Sequence, residues 1–166
     1  KPLSLLKYAI ETDKRILVQS SAGTGKSYAC NDFAKIAAAH GLDRVVIVTP
    51  TMSITEQLGN TLIAINEIEV GCIFGNLNKE QLNEQLQNYV IICTTNKIEN
   101  RLSHYINNLD LNKCLIIIDE AHQLISDYGY RQEACAAVFD LMQKAKYCVL
   151  LSATPNYLFC SNLAQF

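Results

Sequence analysis

The residues best suited to chemistry in this sequence form a glycine-rich loop, Ser20-Ser21-Ala22-Gly23-Thr24-Gly25-Lys26-Ser27. The glycines let backbone N–H groups converge on phosphate oxygens, although the first position, usually glycine, is Ser20 here. A helix predicted to begin near Lys26 adds amides and the positive end of its dipole. Lys26 would contact the outer phosphates, and the Ser27 hydroxyl would be a Mg²⁺ ligand. The residues predicted to bind the nucleotide are Ser21, Ala22, Gly23, Thr24, Gly25, Lys26, Ser27 and Tyr28.

A second candidate group, Asp119 and Glu120, follows the apolar run Leu115–Ile118. Phosphoryl-transfer enzymes need carboxylates beside the phosphates, one near the metal ion and one acting on the attacking water. Taken alone, an acidic pair after a strand is more often a solvated loop or a helix cap. Because the glycine-rich loop lies in the same chain, we expect Asp119 to be a metal-side acid and Glu120 to be the general base or a water-orienting group. The predicted catalytic residues are therefore Glu120, Lys26 and Asp119.

These groups must be positioned by a sheet, and β-rich apolar runs recur along the chain at 16–18, 45–48, 70–74, 90–93, 115–118 and 148–151. Between them, apolar residues three and four apart predict helices at 28–39, 54–65, 77–86 and 134–142. The strands are continuously apolar, as expected when helices cover both faces of a sheet. The alternation predicts an α/β fold with a mostly parallel, doubly wound sheet. Ligands of such sheets bind beyond the carboxyl ends of the strands.

Composition limits the class of protein. The chain has 166 residues, of which 49% are hydrophobic and 18% charged, with no linker, repeat or low-complexity tract. We therefore predict one globular domain over residues 1–166. The net charge of −2 argues against a stand-alone nucleic-acid binder that depends on clustered Lys and Arg. The same net charge is compatible with a protein that binds a nucleic-acid backbone through amides and helix N-termini.

The cysteines are scattered, odd in number and free of Cys-x-x-Cys spacing; they lie at positions 30, 72, 93, 114, 135, 148 and 160. This pattern favours buried thiols in a reducing, intracellular compartment such as the cytoplasm, nucleus or nucleoid, and it predicts no structural metal. No apolar stretch reaches the length of a membrane span, so we expect no membrane partner.

The residues also carry a resemblance to a known family. Asp119-Glu120-Ala121-His122 is, letter for letter, the DEAH box of superfamily 2 helicases, and Ser20–Ser27 resembles their motif I. Three further segments follow in the family's order. Val48-Thr49-Pro50-Thr51 resembles motif Ia, and Leu151-Ser152-Ala153-Thr154-Pro155 resembles motif III. Between them, Ile92-Cys93-Thr94-Thr95 resembles the motif Ib/Ic region, called motif Ib below. The resemblance spans nearly the whole chain, and motifs I, II and III are specific when taken together.

The resemblance implies a RecA-like P-loop NTPase domain, with ATP and Mg²⁺ as cofactors and DNA or RNA as partner. It implies that three residues of motifs II and III couple the nucleotide to the nucleic acid; they are His122, Ser152 and Thr154. It places residues of motifs Ia and Ib against the nucleic-acid backbone; they are Thr49, Pro50, Thr51, Thr94 and Thr95. A threonine after a strand is also a common helix N-cap, and that alternative stays open here.

In this family ATP lies between two RecA-like domains, and the second domain supplies arginine fingers. Nothing similar to a second domain follows Pro155, and the chain begins at Lys1 without methionine, so we expect it to be the first domain of a longer protein. Its arginines match no finger motif and are predicted to be surface charges; they are Arg15, Arg44, Arg101 and Arg131. Since an arginine in trans accelerates phosphoryl transfer by orders of magnitude, we expect the chain alone to hydrolyse ATP slowly, if at all.

The leading interpretation is an ATP-driven helicase or translocase. One alternative is a nucleotide-gated nucleic-acid-binding module without productive hydrolysis. A P-loop kinase is disfavoured, because a kinase has no need of a DEAH box and the chain lacks an arginine-rich lid. Leu151–Pro155 is similar to the motif III of DNA-acting members, and the Thr-Pro-Thr of motif Ia departs from the arginine-rich segment of DEAH-box RNA helicases, so DNA is preferred to RNA. Residues 1–14 hold no glutamine, so no adenine-reading glutamine motif is predicted.

Overall fold

A single parallel sheet forms the centre of the molecule. The computed structural model describes residues 2–12, 15–19, 25–65 and 68–154. The strands are β1 (Ile16–Gln19), β2 (Arg44–Thr49), β3 (Val70–Ile73), β4 (Val90–Thr94), β5 (Cys114–Ile118) and β6 (Tyr147–Ser152). They are arranged in the order β1-β6-β5-β2-β4-β3, and every neighbouring pair is parallel. The predicted α/β fold is confirmed, and all six predicted strands are present. The division of residues 1–166 into one domain stays a prediction, because residues 155–166 lie outside the described part.

Helices connect the strands. They are α1 (Pro2–Thr12), α2 (Lys26–Ala39), α3 (Met52–Ile65), α4 (Lys79–Gln85), α5 (Thr95–Asn100), α6 (Ser103–Asn107), α7 (His122–Ser126) and α8 (Gln132–Lys144), with a 3₁₀ turn at Leu111–Lys113. The four helices predicted from periodicity correspond to α2, α3, α4 and α8. Helix α1 is not predicted from the sequence, and neither are α5, α6 and α7, which have only five or six residues each. Helices that short contain too few turns to establish a period.

The core consists of two apolar layers, one on each face of the sheet. Along β2, Val45 and Ile47 pack with Phe33 of α2 on one face. Val46 and Val48 pack into the other layer, with Val138 of α8. Because successive side chains of a strand point to opposite faces, covering both faces requires apolar residues at every position. This explains why the central strands are continuously apolar.

The described cysteines are free thiols, and all but Cys72 are buried. Burial raises the pKa of Cys93 and of Cys148 to about 12, so both are neutral thiols near pH 7 and behave as small core residues. Cys160 lies outside the described residues. In the described part of the chain, no helix combines the length and apolar character needed to cross a bilayer.

The strand order sorts the motifs along the carboxyl edge of the sheet. β1, β6 and β5 are adjacent and precede the glycine-rich loop, motif III and the DEAH box. β2 and β4 are adjacent on the other side of β5 and precede motifs Ia and Ib. The predicted nucleotide residues and the predicted nucleic-acid residues therefore occupy neighbouring halves of one edge, with the DEAH box at their boundary.

Candidate functional site

The end of the glycine-rich loop is built as the sequence predicts. Gly25 has a φ of 84°, a left-handed conformation that glycine adopts without strain, and α2 begins at the next residue, Lys26. The first amides of α2, including those of Ser27 and Tyr28, lie at the carboxyl edge and, as at any helix N-terminus, have no acceptor within the helix. Ser21, Ala22, Gly23 and Thr24 lie outside the described residues, so their contacts with a nucleotide stay predictions.

Lys26 joins the two predicted catalytic carboxylates. Its Nζ donates a hydrogen bond to Glu120 Oε1 and lies 3.7 Å from Asp119 Oδ1. The three side chains are only 16%, 16% and 10% exposed for Lys26, Glu120 and Asp119. Burial raises the pKa of the Asp119 carboxyl, while the Lys26 ammonium acts in the opposite direction. Phosphate oxygens could replace the two carboxylates as partners of the Lys26 ammonium, and a cation could then balance the carboxylates.

Glu120 adopts an unusual backbone conformation. Its φ of 49° makes it the one non-glycine residue in the described part with a positive φ. Its N–H donates to Asp119 Oδ1 at 3.0 Å, and its carbonyl accepts from Gln123 N at 2.8 Å as α7 begins. Glu120 Oε2 is buried and has no hydrogen-bond partner within the described residues. The turn thus holds a carboxylate oxygen with free acceptor capacity at the carboxyl edge, which is what a general base requires.

The predicted coupling residues lie together. His122 Nδ1 is 3.1 Å from Ser152 Oγ and 3.5 Å from Glu120 Oε2. The Thr154 N–H donates to the same Ser152 Oγ at 3.1 Å. A continuous set of polar contacts therefore runs from the acidic turn to the end of β6. Their coupling role itself stays a prediction.

The threonines of motifs Ia and Ib are less accessible than the sequence suggests. Thr49, Thr94 and Thr95 are 0%, 6% and 4% exposed. Thr49 Oγ1 lies 2.5 Å from Thr55 Oγ1, and Thr95 Oγ1 donates to the Thr49 carbonyl at 3.3 Å. These hydroxyls are committed to internal bonds that hold the two loops together. A nucleic-acid contact at these positions would therefore use backbone groups.

Of this set, only Thr51 is exposed, while Pro50 is buried. Thr51 Oγ1 accepts a hydrogen bond from Ile54 N at 3.3 Å, so it also caps α3. Thr94 occupies the N-cap position of α5 without a side-chain capping bond. The N-cap alternative thus holds for Thr51, and the nucleic-acid contacts of all five residues stay predictions.

Three of the arginines predicted to be surface charges also donate to backbone carbonyls from partly exposed positions. Arg131 NH1 donates to the Pro50 carbonyl at 3.2 Å and lies 3.4 Å from Asp127 Oδ2. Arg15 donates to the carbonyls of Gln143 and Ala145, and Arg44 to those of Gln87 and Asn88. Arg101 is exposed. Each of the three bridges segments far apart in the chain, and no local pattern could have indicated that.

Lys97 is a further residue that the sequence analysis missed. It lies in α5, and its Nζ donates to the Gly75 carbonyl at 2.6 Å, in the loop after β3. Together with the bond from Arg131 to Pro50, this contact fixes the positions of three loops at the carboxyl edge. The nucleic-acid half of the edge is therefore held by two long cationic side chains.

Replacing Arg131 with methionine is expected to lower the free energy of unfolding by about 1 kcal/mol, because the Pro50 carbonyl loses a charged donor at a partly exposed position. Urea denaturation measures this change, with Arg101→Met at an exposed position as the matched control. Equal stability of the two variants would show that the bond to Pro50 contributes nothing.

Comparison with known proteins agrees with this architecture. The family model described as DEAD/DEAH box helicase matches residues 4–160. An ATP-dependent RNA helicase, dbp3, of Neosartorya fischeri is 26% identical over 149 residues, which cover 81% of this chain and 29% of that protein. The ATP-dependent RNA helicase eIF4A of Emericella nidulans is 26% identical over 150 residues, covering 84% of this chain and 36% of that protein. The chain thus spans about a third of the length of these curated relatives.

A solved structure shows the same fold. The hypothetical ATP-dependent RNA helicase from Sulfolobus tokodaii superposes with a TM-score of 0.68 at 20% identity, covering 97% of this chain and 50% of that one. At this identity the likeness concerns the fold alone, and it confirms the predicted RecA-like architecture. The family model matches almost the whole sequence, which confirms the predicted superfamily 2 resemblance. The chain belongs to the DEAD/DEAH box helicase family and is an ATP-binding domain of that family.

Proposed function

We propose that this chain is the nucleotide-hydrolysing half of an ATP-dependent motor that moves on nucleic acid. The observation that carries this proposal is the cluster of Lys26, Asp119 and Glu120 at the carboxyl edge of the sheet, in which Glu120 Oε2 is buried and accepts no hydrogen bond from the described residues. The cluster unites a phosphate-binding cation, a metal-side acid and a candidate base. A binding module without hydrolysis would not need the third component.

RNA is the proposed track. The residues of motifs Ia and III favour DNA, but the curated relatives dbp3 and eIF4A are both named as RNA helicases. The net charge of −2 does not favour one polymer over the other. These relatives match more than four fifths of this chain, whereas the preference for DNA depends on two short motifs. We therefore favour RNA.

The site fits ATP with Mg²⁺. The donors at the edge are oxygen atoms, the Ser27 hydroxyl at the start of α2 and the Asp119 carboxylate, which are ligands that Mg²⁺ accepts. Mg²⁺ typically takes one or two protein oxygens and completes its shell with water and phosphate, so a larger protein cluster is not required. When bound, Mg²⁺ would neutralise charge on the phosphate oxygens.

The residues of the chain then have distinct tasks. Lys26 exchanges Glu120 for phosphate oxygens, which releases the Glu120 carboxylate toward the attacking water. Glu120 accepts the proton of that water, and Asp119, bonded to the Glu120 N–H, keeps the turn in its left-handed conformation. His122, in contact with both Ser152 and Glu120, can relay the state of the site to the end of β6. A second RecA-like domain in the same protein would face this edge and complete the ATP site.

The experiment that tests this function is a steady-state ATPase assay on the full-length protein with no polymer, single-stranded RNA, single-stranded DNA or duplex DNA. We expect RNA to stimulate turnover by at least tenfold, on the order of the gain that a coupling free energy of 1–3 kcal/mol allows. Stimulation by DNA alone would restore the DNA preference. Tight ATP binding without stimulation by any polymer would replace the motor with a nucleotide-gated binding module.

A further inference from the structure

An open groove of about 480 Å³ lies at the carboxyl edge, away from the nucleotide residues. One wall is the exposed side of α5, with Asn96, Glu99 and Asn100. The opposite wall is the turn and first residues of α8, over residues 129–134. The volume is ample for a single planar nucleobase with its surrounding water, and nothing in the nucleotide chemistry uses this groove.

The groove opens beside the loops predicted to hold the nucleic-acid backbone. Asn96 is the second residue of α5, which follows Thr94 of motif Ib directly. On the opposite wall, Arg131 is bonded to the Pro50 carbonyl of motif Ia. A strand whose phosphates are held by these two loops would pass beside the groove. Backbone contacts of this kind position a strand without reading its bases.

Tyr130 gives the groove a stacking surface. It is 74% exposed, the most exposed large hydrophobic residue in the described part. Its hydroxyl donates to Asp127 Oδ1 at 2.5 Å, and the Arg131 guanidinium carbon is 6.0 Å from the centre of its ring. An aromatic ring that is fixed by its hydroxyl and is still 74% exposed has surface available for stacking a base.

The polar lining favours a base over a phosphate. Glu99 and Glu133 are acceptors only, and they outnumber the cation Arg131 on the lining. Two carboxylates repel a phosphate but accept hydrogen bonds from exocyclic amino groups, and the amides of Asn96 and Gln132 can both donate and accept. Splayed bases of single strands are recognised in this way, through stacking and contacts to their polar edges.

We propose that this groove binds one unpaired base of a single-stranded nucleic acid, stacked on Tyr130 and preferably carrying an exocyclic amino group. The inference rests on the proposed function, since the two backbone loops must hold the strand. It adds a base-binding position to a surface whose other predicted contacts are to the backbone. Uracil and thymine, which have no exocyclic amino group, would be held less well than guanine, cytosine or adenine.

The test compares Tyr130→Ala with the conservative Tyr130→Phe in the full-length protein. Binding is measured by fluorescence anisotropy with a labelled single-stranded RNA, and with single-stranded DNA of the same base order. We expect Tyr130→Ala to weaken binding roughly 5- to 100-fold, the range of one base–aromatic stack, and Tyr130→Phe to change it less than about twofold. The slope of log affinity against log salt should be unchanged, because no phosphate contact is lost.

A series of RNAs with one abasic nucleotide moved along the strand locates the base. The wild-type protein should show one position with a clear penalty, and that penalty should vanish in Tyr130→Ala. Loss on RNA alone would assign the groove to RNA, and equal loss on DNA would assign it to either single strand. Unstimulated ATPase and the melting temperature should stay at wild-type values in both variants.

Three results would overturn the inference. They are wild-type affinity of Tyr130→Ala, an abasic series without a single sensitive position, and a reduced salt slope that points to a phosphate site. The proposed function survives all three as long as RNA still stimulates the wild-type ATPase. Failure of the wild-type protein to bind either polymer would remove the proposed function and this inference together.

Discussion

Replacing Glu120 with glutamine is expected to lower ATP hydrolysis roughly 10²- to 10⁴-fold, the typical contribution of a positioned general base. Glutamine has the same shape and can still accept the hydrogen bond from Lys26, but it cannot take the proton from water. ATP binding should be retained or become tighter, because a negative charge beside the phosphates is lost. Single-turnover hydrolysis and equilibrium binding of a fluorescent ATP analogue, both with the full-length protein, separate the two effects.

Glu84→Gln is the matched control, because Glu84 is exposed on α4 and lies outside the cluster. It should leave both binding and hydrolysis at wild-type levels. If Glu120→Gln keeps more than about a tenth of wild-type hydrolysis, the assignment of Glu120 as base is wrong on the usual scale of such substitutions. The buried Glu120 Oε2, which accepts no hydrogen bond from the described residues, would then require another explanation.

Replacing Lys26 with alanine is expected to weaken ATP binding roughly 10- to 150-fold, the range given by the loss of one charged hydrogen bond to phosphate. The same change leaves Asp119 and Glu120 next to each other without their shared cation. Two neighbouring carboxylates that are only 10% and 16% exposed repel each other, so the variant should also be less stable at neutral pH. Isothermal titration calorimetry with ATP measures the first effect, and thermal unfolding measures the second.

The stability effect of Lys26→Ala has a definite pH dependence. Burial raises the folded-state pKa of Asp119 above the unfolded value, and Lys26 opposes that rise. A carboxyl with a raised folded pKa favours the folded state only when protonated, so its contribution becomes unfavourable as pH rises from near 4 through the folded pKa. Without Lys26 the pKa rises further. The stability gap between variant and wild type should therefore be small at low pH and larger at pH 7.

Two comparisons make this prediction specific. Lys113→Ala, a change at an exposed lysine on the amino side of β5, should affect neither ATP binding nor the pH profile. Adding Asp119→Asn to Lys26→Ala should recover much of the lost stability, because one of the two charges is removed. A stability gap that stays constant from low pH to pH 7 would contradict the charge argument.

Much of this protein is determined by patterns that are local in sequence. The strands are visible as continuous apolar runs because both faces of the sheet are covered. Gly25-Lys26-Ser27 and Asp119-Glu120 are recognisable because phosphate binding and metal-assisted hydrolysis require these residue types within a few positions of one another. The long helices α2, α3 and α8 are predictable because several turns establish an apolar period, whereas the short α5 and α7 contain too few turns. The family follows from the order of these motifs along the chain.

Only the tertiary structure determines which residues far apart in sequence lie next to one another. Lys26 meets Glu120 across 94 positions of sequence, and the strand order places the DEAH box between the nucleotide and nucleic-acid halves of the edge. Burial turned the hydroxyls of Thr49 and Thr95 inward, and the bond from Arg131 to Pro50 joins segments that no local pattern relates. The groove around Tyr130 is likewise made by two distant segments. Residue type and spacing therefore determine which chemistry the chain can perform, whereas accessibility and pairing depend on packing between elements far apart in sequence.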